Sequence, residues 1–330
     1  MKILITGSEG FIGSHLVERL AKQKHDLKCL ALYNSFNSHG WLDNLSNDVK
    51  KKIEITTGDI RDEGIVRNIV KNNDCIINLA ALIGIPYSYK AAQSYVDTNI
   101  SGTLKLLQAA KDFKVKKFIH TSTSEVYGTP EYVPIDEQHP IIGQSPYAAS
   151  KIAADQIAIS FYRSFGLPVS IIRPFNTFGP RQSARAIIPT IILQILKGKK
   201  NIRLGNLDTR RDFTYIDDTT LGFELMIKNK VQGEIVNLGT GYDFSVRELV
   251  KIISSLMGVK INVTSEKKRM RPKKSEILIL KSNNLKARKL LKWKPEFIKK
   301  KGFIKALKQT IDWYSKSENI KNFKEDIYNI

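Results

Sequence analysis

Apolar residues in the first ~170 positions fall into short continuous runs, separated by longer stretches in which they recur at helical spacing. The runs predict strands at 2–6, 27–32, 53–57, 75–79, 117–122 and 169–173. Segments such as Cys75-Ile-Ile-Asn-Leu79 and Phe118-Ile-His120 do not alternate between apolar and polar, which suits parallel strands covered on both faces. Between the first two strands, Phe11, Ile12, Leu16, Val17 and Leu20 mark one helix. The pattern is that of an α/β protein with a doubly wound parallel sheet.

From about 175 onward the rhythm changes. Turns rich in Asn, Gly and Pro separate a helix near 187–197, a strand near 235–238, a helix near 245–257 and a last helix near 302–315. These pieces are too few for an independent core in each, so one small lobe built with the sheet edge is expected. The expected division is therefore a dinucleotide-binding domain at 1–174, a smaller mixed α/β substrate lobe at 175–315 interleaved with the sheet edge, and a polar tail at 316–330, with the cleft between the lobes. Two long helices are expected at 91–112 and 147–165. The second carries Ile152, Ala153, Ile157, Phe161 and Phe165 on one apolar face and Ala149, Ala154 and Ala158 on a neighbouring one, more apolar circumference than packing on a sheet requires.

Composition changes this picture little. The 330 residues are 42% hydrophobic and 26% charged, enough for a sizeable core. No apolar stretch approaches the ~20 residues of a membrane span, and Met1 leads straight into a strand, so a cytoplasmic protein without membrane contact is expected. The formal charge of +21 raises the question of nucleic acid. Lysines 267, 268, 273, 274 and 299–301 lack the interleaved aromatics of a strand-binding surface, so they read as solvated surface that would steer an anionic substrate. Cys29 and Cys75 sit in apolar strands without ligand spacing, and no metal is implied.

The chemistry is concentrated in three places. Gly7-Ser-Glu-Gly10-Phe-Ile-Gly13 joins the first strand to the first helix, the context in which a glycine turn and a helix N-terminus hold a pyrophosphate. Thr121-Ser-Thr-Ser-Glu-Val-Tyr-Gly128 follows the fifth strand and brings a carboxylate. Tyr147 and Lys151 lie four apart on one helix face, where an ammonium can lower the phenol pKa and make Tyr147 a base near neutral pH. Glu125 then needs a separate task, beyond simple hydride transfer.

These segments, with Gly58-Asp59-Ile60, Asn78-Leu-Ala80-Ala81, Asn99, Arg173-Pro-Phe-Asn176 and Arg211-Asp-Phe-Thr-Tyr-Ile-Asp-Asp218, resemble the extended short-chain dehydrogenase/reductases that modify nucleotide sugars, from Met1 to about Phe297. The Ser124-Glu125 pair is similar to that of the 4,6-dehydratases. Tyr33–Asp43 and Gly179–Pro189 are similar, more narrowly, to the dehydratases of the legionaminic acid pathway, which act on nucleotide-linked N-acetylglucosamine. The resemblance implies a Rossmann-type fold, a homodimer built on helices 91–112 and 147–165, and a coenzyme site at Gly7, Gly10, Phe11, Ile12, Gly13, Asp59, Ile60, Ala80, Ala81, Asn99, Ser122, Tyr147 and Lys151. Asp59 would meet the adenine amino group, and Asn99 would kink its helix in support of Lys151. Asn176, Arg185, Pro189, Arg211 and Arg271 are the implied substrate contacts, with Arg211 and Arg271 on the diphosphate. His120 reads as a core histidine.

One position departs from the pattern. The second strand should end in an acid that binds the ribose diol, yet this chain has Leu32-Tyr33-Asn34. No Arg or Lys stands there for a 2′-phosphate either, so NAD is preferred to NADP, with Asn34 as the ribose contact.

The resemblance implies a mechanism. Tyr147 takes the sugar 4-hydroxyl proton with Thr123 bonded to the same oxygen, C4 hydride passes to NAD, Glu125 takes the C5 proton, water leaves from C6, and hydride returns to C6. The leaving hydroxyl is protonated either by Glu125 or through Ser124. A nucleotide-glucuronate decarboxylase, with Arg181 or Arg185 on the C6 carboxylate, and a 4-epimerase are the alternatives on this fold. A non-catalytic dinucleotide sensor is the alternative outside it.

Overall fold

The computed structural model describes residues 1–321 and 323. Its strands, in chain order, are β1 (Lys2–Thr6), β2 (Asp26–Leu32), β3 (Ile53–Gly58), β4 (Cys75–Asn78), β5 (Lys117–Thr121), β6 (Val169–Pro174), β7 (Asn176–Phe178), β8 (Asn201–Leu204), β9 (Arg210–Tyr215), β10 (Ile235–Leu238), β11 (Asp243–Ser245), β12 (Asn262–Ser265) and β13 (Ile279–Leu280). The longer helices are α1 (Phe11–Ala21), α2 (Glu63–Val70), α3 (Thr103–Asp112), α4 (Pro146–Phe165), α5 (Ile187–Leu196), α6 (Ile216–Lys228), α7 (Val246–Leu256), α8 (Leu285–Leu291) and α9 (Lys299–Tyr314).

Seven strands form one parallel sheet in the order β10-β6-β5-β4-β1-β2-β3. The chain runs outward from β1 through β2 to β3, then restarts at β4 on the other side of β1 and runs the opposite way. That reversal opens a crevice at the carboxyl ends of β1 and β4. Both sheet faces are covered. Leu16, Val17, Leu20, Phe223 and Met226 pack on one, and Val66, Ile69, Leu106, Leu107, Ala158 and Phe161 on the other. The smaller lobe has β11-β9-β13 with β7 beside β9, the pair β12-β8, and a separate core around Phe178, Ile191, Ile192, Phe213, Phe303 and Tyr314. Among the described residues no helix is long and apolar enough to cross a membrane.

Four features depart from the sequence pattern. The strand at 235–238 is not part of the small lobe: β10 pairs with β6, Ile235 opposite Ile171, and edges the large sheet. The helix expected at 91–112 is interrupted, running Ala92–Tyr95, then a π-helical stretch Val96–Gly102, then α3. The excess apolar circumference of α4 is partly used inside the chain, because Ala154 and Ala158 are fully buried, with Ala158 packed in the core beneath the sheet. The polar tail begins with a helical turn at Ser317–Ile320, and Phe323 lies against Trp41 and Tyr314; the rest of the expected tail, 322 and 324–330, lies outside the described residues.

Candidate active site

A cleft of roughly 1290 Å³ runs from the β1 turn to the smaller lobe. At one end β1 stops at Thr6 and Gly7 turns with φ +64, a left-handed value that favours glycine. A Cβ on Gly7 would come within 2.8 Å of Ala80 N, and one on Gly13 within 2.2 Å of Gly7 O, so turn, helix and β4 end meet at backbone distance. A Cβ on Gly10 would meet only Gly7 O at 3.4 Å, which leaves its cleft side open. No side chain caps the N-terminus of α1. The cradle suits the pyrophosphate of a dinucleotide, because the N-terminus of α1 carries no side-chain cap and Gly10 leaves its cleft side open. Thr6 pins the adjoining loop: its hydroxyl donates to Asn78 Oδ1 (2.8 Å) and accepts from Ala80 N (3.2 Å).

Phe11, Ile12, Asp59, Ile60, Ala80, Ala81, Ser122, Asn176 and Arg185 also line this cleft. Asp59 enters it as an ion pair, its carboxylate bound by Arg61 at 2.6 and 2.9 Å, and these hydrogen bonds hold it below the usual carboxylate range. Asn176 Oδ1 is buried and has no protein partner. Ser122 gives its hydroxyl to Asp155 (2.7 Å).

Other sequence-derived residues are not brought to the cleft wall. Asn34 spends its amide inside its own loop, donating to Leu32 O and Ser38 O and accepting from Phe36 N and Ser38 N, so it has nothing left for a ribose. Asn99 is buried in the π-helical stretch. It joins Leu82 N and O to Ser150 Oγ, one residue before Lys151, and its amide is spent bracing α4 rather than turned to the cleft. Pro189 is buried in α5. Arg211 lies buried behind the cleft, bonded to Arg210 O, its pKa brought down to about 10 by burial against the opposing pull of Glu125.

At the opposite end the β5 strand leads into Thr123, whose hydroxyl accepts from Glu125 N (3.2 Å) and caps the short helix Ser124–Tyr127. Glu125 is 8% exposed, lines the cleft, and faces Arg271 Nη1 at 3.2 Å. Tyr147 and Lys151 reach the same wall from α4, which Ser145 caps and Pro146 begins. Lys151 Nζ donates to Thr121 O (2.6 Å), and burial lowers its pKa to about 8.

The expectation that Lys151 lowers the Tyr147 phenol is corrected here. Burial dominates and raises that phenol; Thr123 opposes the rise and the Glu125 carboxylate adds to it. The ammonium is directed at a carbonyl, and taking the phenol out of water disfavours its anion.

Two groups escaped sequence reasoning. Asp155, one turn beyond Lys151, lies under the pair and gathers Ser122, Arg173 Nη2 (2.9 Å) and His120 (3.4 Å). Burial would raise this carboxyl, but His120, Arg173 and Ser122 together hold it below its ordinary value. Its i, i+4 spacing from Lys151 was the available signal. Glu9, inside the glycine turn, accepts from Leu32 N (3.1 Å) through Oε1, while Oε2 is buried without a partner.

The profile of a family described as GDP-mannose 4,6 dehydratase matches residues 4–305. A dTDP-D-glucose 4,6-dehydratase of Dictyostelium discoideum is 35% identical over 77% of this chain, and the match spans only 62% of that protein's length. DesIV, the dTDP-glucose 4,6-dehydratase of Streptomyces venezuelae solved with NAD and TYD bound, is 30% identical with a TM-score of 0.86, covering 98% of this chain and 99% of that one. The UDP-glucuronic acid 4-epimerase of Bacillus cereus, solved with UDP-glucuronic acid and NAD, is 28% identical with a TM-score of 0.85, covering 95% and 98%.

Proposed function

We propose that this chain, which belongs to the GDP-mannose 4,6-dehydratase family, is a sugar-nucleotide 4,6-dehydratase that converts GDP- or UDP-linked N-acetylglucosamine to its 4-keto-6-deoxy derivative, as a cytoplasmic step of legionaminic acid synthesis. One observation carries the reading: the Glu125 carboxylate stands in the same cleft wall as Thr123 and Tyr147. An enzyme that only oxidises or inverts C4 has no use for a second base there. The narrower segments support the sugar, since Ser38, Trp41 and Asp43 from one and Arg181–Ala186 from the other line this cleft.

NAD, when bound, supplies the acceptor that takes hydride from C4 and the donor that returns it to C6. The glycine turn and the α1 N-terminus would hold its pyrophosphate, Ala80 and Ala81 would leave room for it, and Asp59 would face the adenine. Thr123 orients the sugar 4-hydroxyl, and Tyr147 exchanges its proton. Lys151, whose pKa burial lowers to about 8, lines the cleft with Tyr147 as the chain's own basic group near that exchange. Once C4 is a ketone the C5 proton is acidic, and Glu125 removes it. The departing 6-hydroxyl is protonated by Glu125 or through Ser124, and water leaves; when C6 is reduced C5 takes a proton back, the balance being the one Tyr147 removed from the 4-hydroxyl. Arg271, which lines the cleft, would grip the diphosphate.

Mass spectrometry after incubation with a panel of nucleotide sugars tests this reading. N-acetylglucosamine linked to GDP or UDP is expected to lose 18 mass units, the mass of water. A loss of 44 from UDP-glucuronate would mean decarboxylation, and turnover without mass change would mean epimerisation. Of the two arginines considered for a C6 carboxylate, Arg181 is occupied by Glu18 (2.8 Å).

A homodimer belongs to the same reading. Val96, Ile100 and Leu104 repeat every four residues on one helix, Ala149, Ala153 and Ile157 on the next, and all six are exposed or half-buried. The double variant Ile100→Glu/Ile157→Glu is expected to run as a folded monomer by light scattering where the parent is a dimer. A monomeric parent would contradict the assignment.

A further inference from the structure

The chain has no acid at the end of β2, where a dinucleotide fold ordinarily meets the hydroxyls of the adenosine ribose. The structure brings a carboxylate to that place by another route. Glu9 leaves the glycine turn toward β2, and its Oε1 accepts from Leu32 N, the last residue of that strand. Its Oε2 is buried and takes no hydrogen bond from the protein, although Glu9 lines the cleft. An unbonded buried carboxylate oxygen is costly unless a donor arrives.

The surrounding loop holds Glu9 in place. Trp41 N donates to Glu9 O (3.0 Å), and Gly40, with φ +56, lies so close that a Cβ would come within 2.9 Å of Glu9 O and 3.1 Å of Glu9 Cβ. The Asn34 amide bonds tie the same loop together. Nearby cations are already engaged: Arg61 with Asp59, Lys50 Nζ with Asp43 O (2.6 Å), and His39 with Asp43 (3.2 Å). Burial raises the Glu9 carboxyl, opposed by hydrogen bonds from its own backbone N–H and that of Leu32. Hydroxyl donors at Oε2 would favour the ionised form further.

We propose that Glu9 is the residue through which this chain selects NAD over NADP, its unbonded carboxylate oxygen accepting from the adenosine ribose hydroxyls. A ribose diol offers two donors to such an oxygen. A 2′-phosphate offers none, and brings close to two negative charges beside the carboxylate. The inference rests on the coenzyme reading above.

Calorimetric titration of the purified protein, stripped of nucleotide, with NAD and with NADP tests it by binding alone. The parent is expected to prefer NAD strongly. Glu9→Gln and Glu9→Ala should each weaken NAD by roughly 10–100-fold, the range for loss of a charge-assisted hydrogen bond, and should narrow the preference over NADP by a similar factor. Glu9→Gln keeps an oxygen for Leu32 N and so decides the matter if the alanine variant melts early. If the parent binds NAD tightly and the Gln variant keeps both its affinity and its discrimination, the proposal falls while the coenzyme reading stands; equal binding of NAD and NADP by the parent overturns it too. A parent that binds neither dinucleotide removes the coenzyme reading and the proposal with it.

Discussion

Glu125→Gln is expected to stop formation of the 4-keto-6-deoxy product, with turnover down by about 10²–10⁴-fold, the usual worth of a positioned proton acceptor. The amide preserves the shape of the side chain and an oxygen for Arg271 Nη1, which now lies 3.2 Å from the carboxylate. On the proposed reading, what is lost is the group that takes the C5 proton. Oxidation at C4 precedes that step and does not use it, so a rapid change in nicotinamide absorbance should survive when substrate is added. The substitution also leaves Arg271 and the buried Arg211 facing a neutral amide, and a lower melting temperature is expected alongside the kinetic defect. Release of dehydrated sugar at the parent's rate would remove Glu125 from the chemistry.

Tyr147→Phe should act one step earlier. The ring keeps its edge-on packing against Tyr95, at 6.2 Å between centroids, so the fold should be retained. The hydroxyl proposed to exchange the 4-hydroxyl proton is gone, and both the early absorbance change and product formation should fall together by about 10²–10⁴-fold. The pair can be ordered by combining them: if Tyr147 acts first, the double variant should be scarcely slower than Tyr147→Phe alone. An absorbance change at the parent's rate in Tyr147→Phe would contradict its role.

What the sequence disclosed follows from how far each signal reaches along the chain. Strands buried on both faces write continuous apolar runs, the edge strand at 53–58 writes a partly polar one, and the six expected in the first part of the chain each lie within a residue of their observed bounds. The glycine turn was equally legible, because each glycine answers to a local constraint. Pairing across space was not. Nothing near residues 235–238 says that β10 neighbours β6, and no local pattern marks the π-helical stretch that Asn99 braces through Leu82 and Ser150. The second strand carries no acid at its own end, and the carboxylate beside it comes from Glu9, more than twenty residues earlier. Lys151 was visible as a neighbour of Tyr147, but the burial that governs both groups belongs to the packed molecule.

The position of β10 bears on how such a protein can acquire new substrates. The chain leaves the large sheet after Pro174, builds β7, β8 and β9, and returns to complete the sheet with residues 235–238, where Tyr127 Oη meets Asn237 Oδ1 at 2.7 Å. A crossover between genes after residue 174 would join β6 to a foreign edge strand, breaking the register Ile171–Ile235 and Ile172–Val236. The lobe is thus not an interchangeable cassette. Inheritance can vary it most cheaply in segments that depart from the scaffold and rejoin it, such as 179–186 and 267–276, and these supply the cleft with Arg181, Arg185 and Arg271. On this framework, a change confined to the loops disturbs fewer strand pairings than an exchange of the whole lobe would.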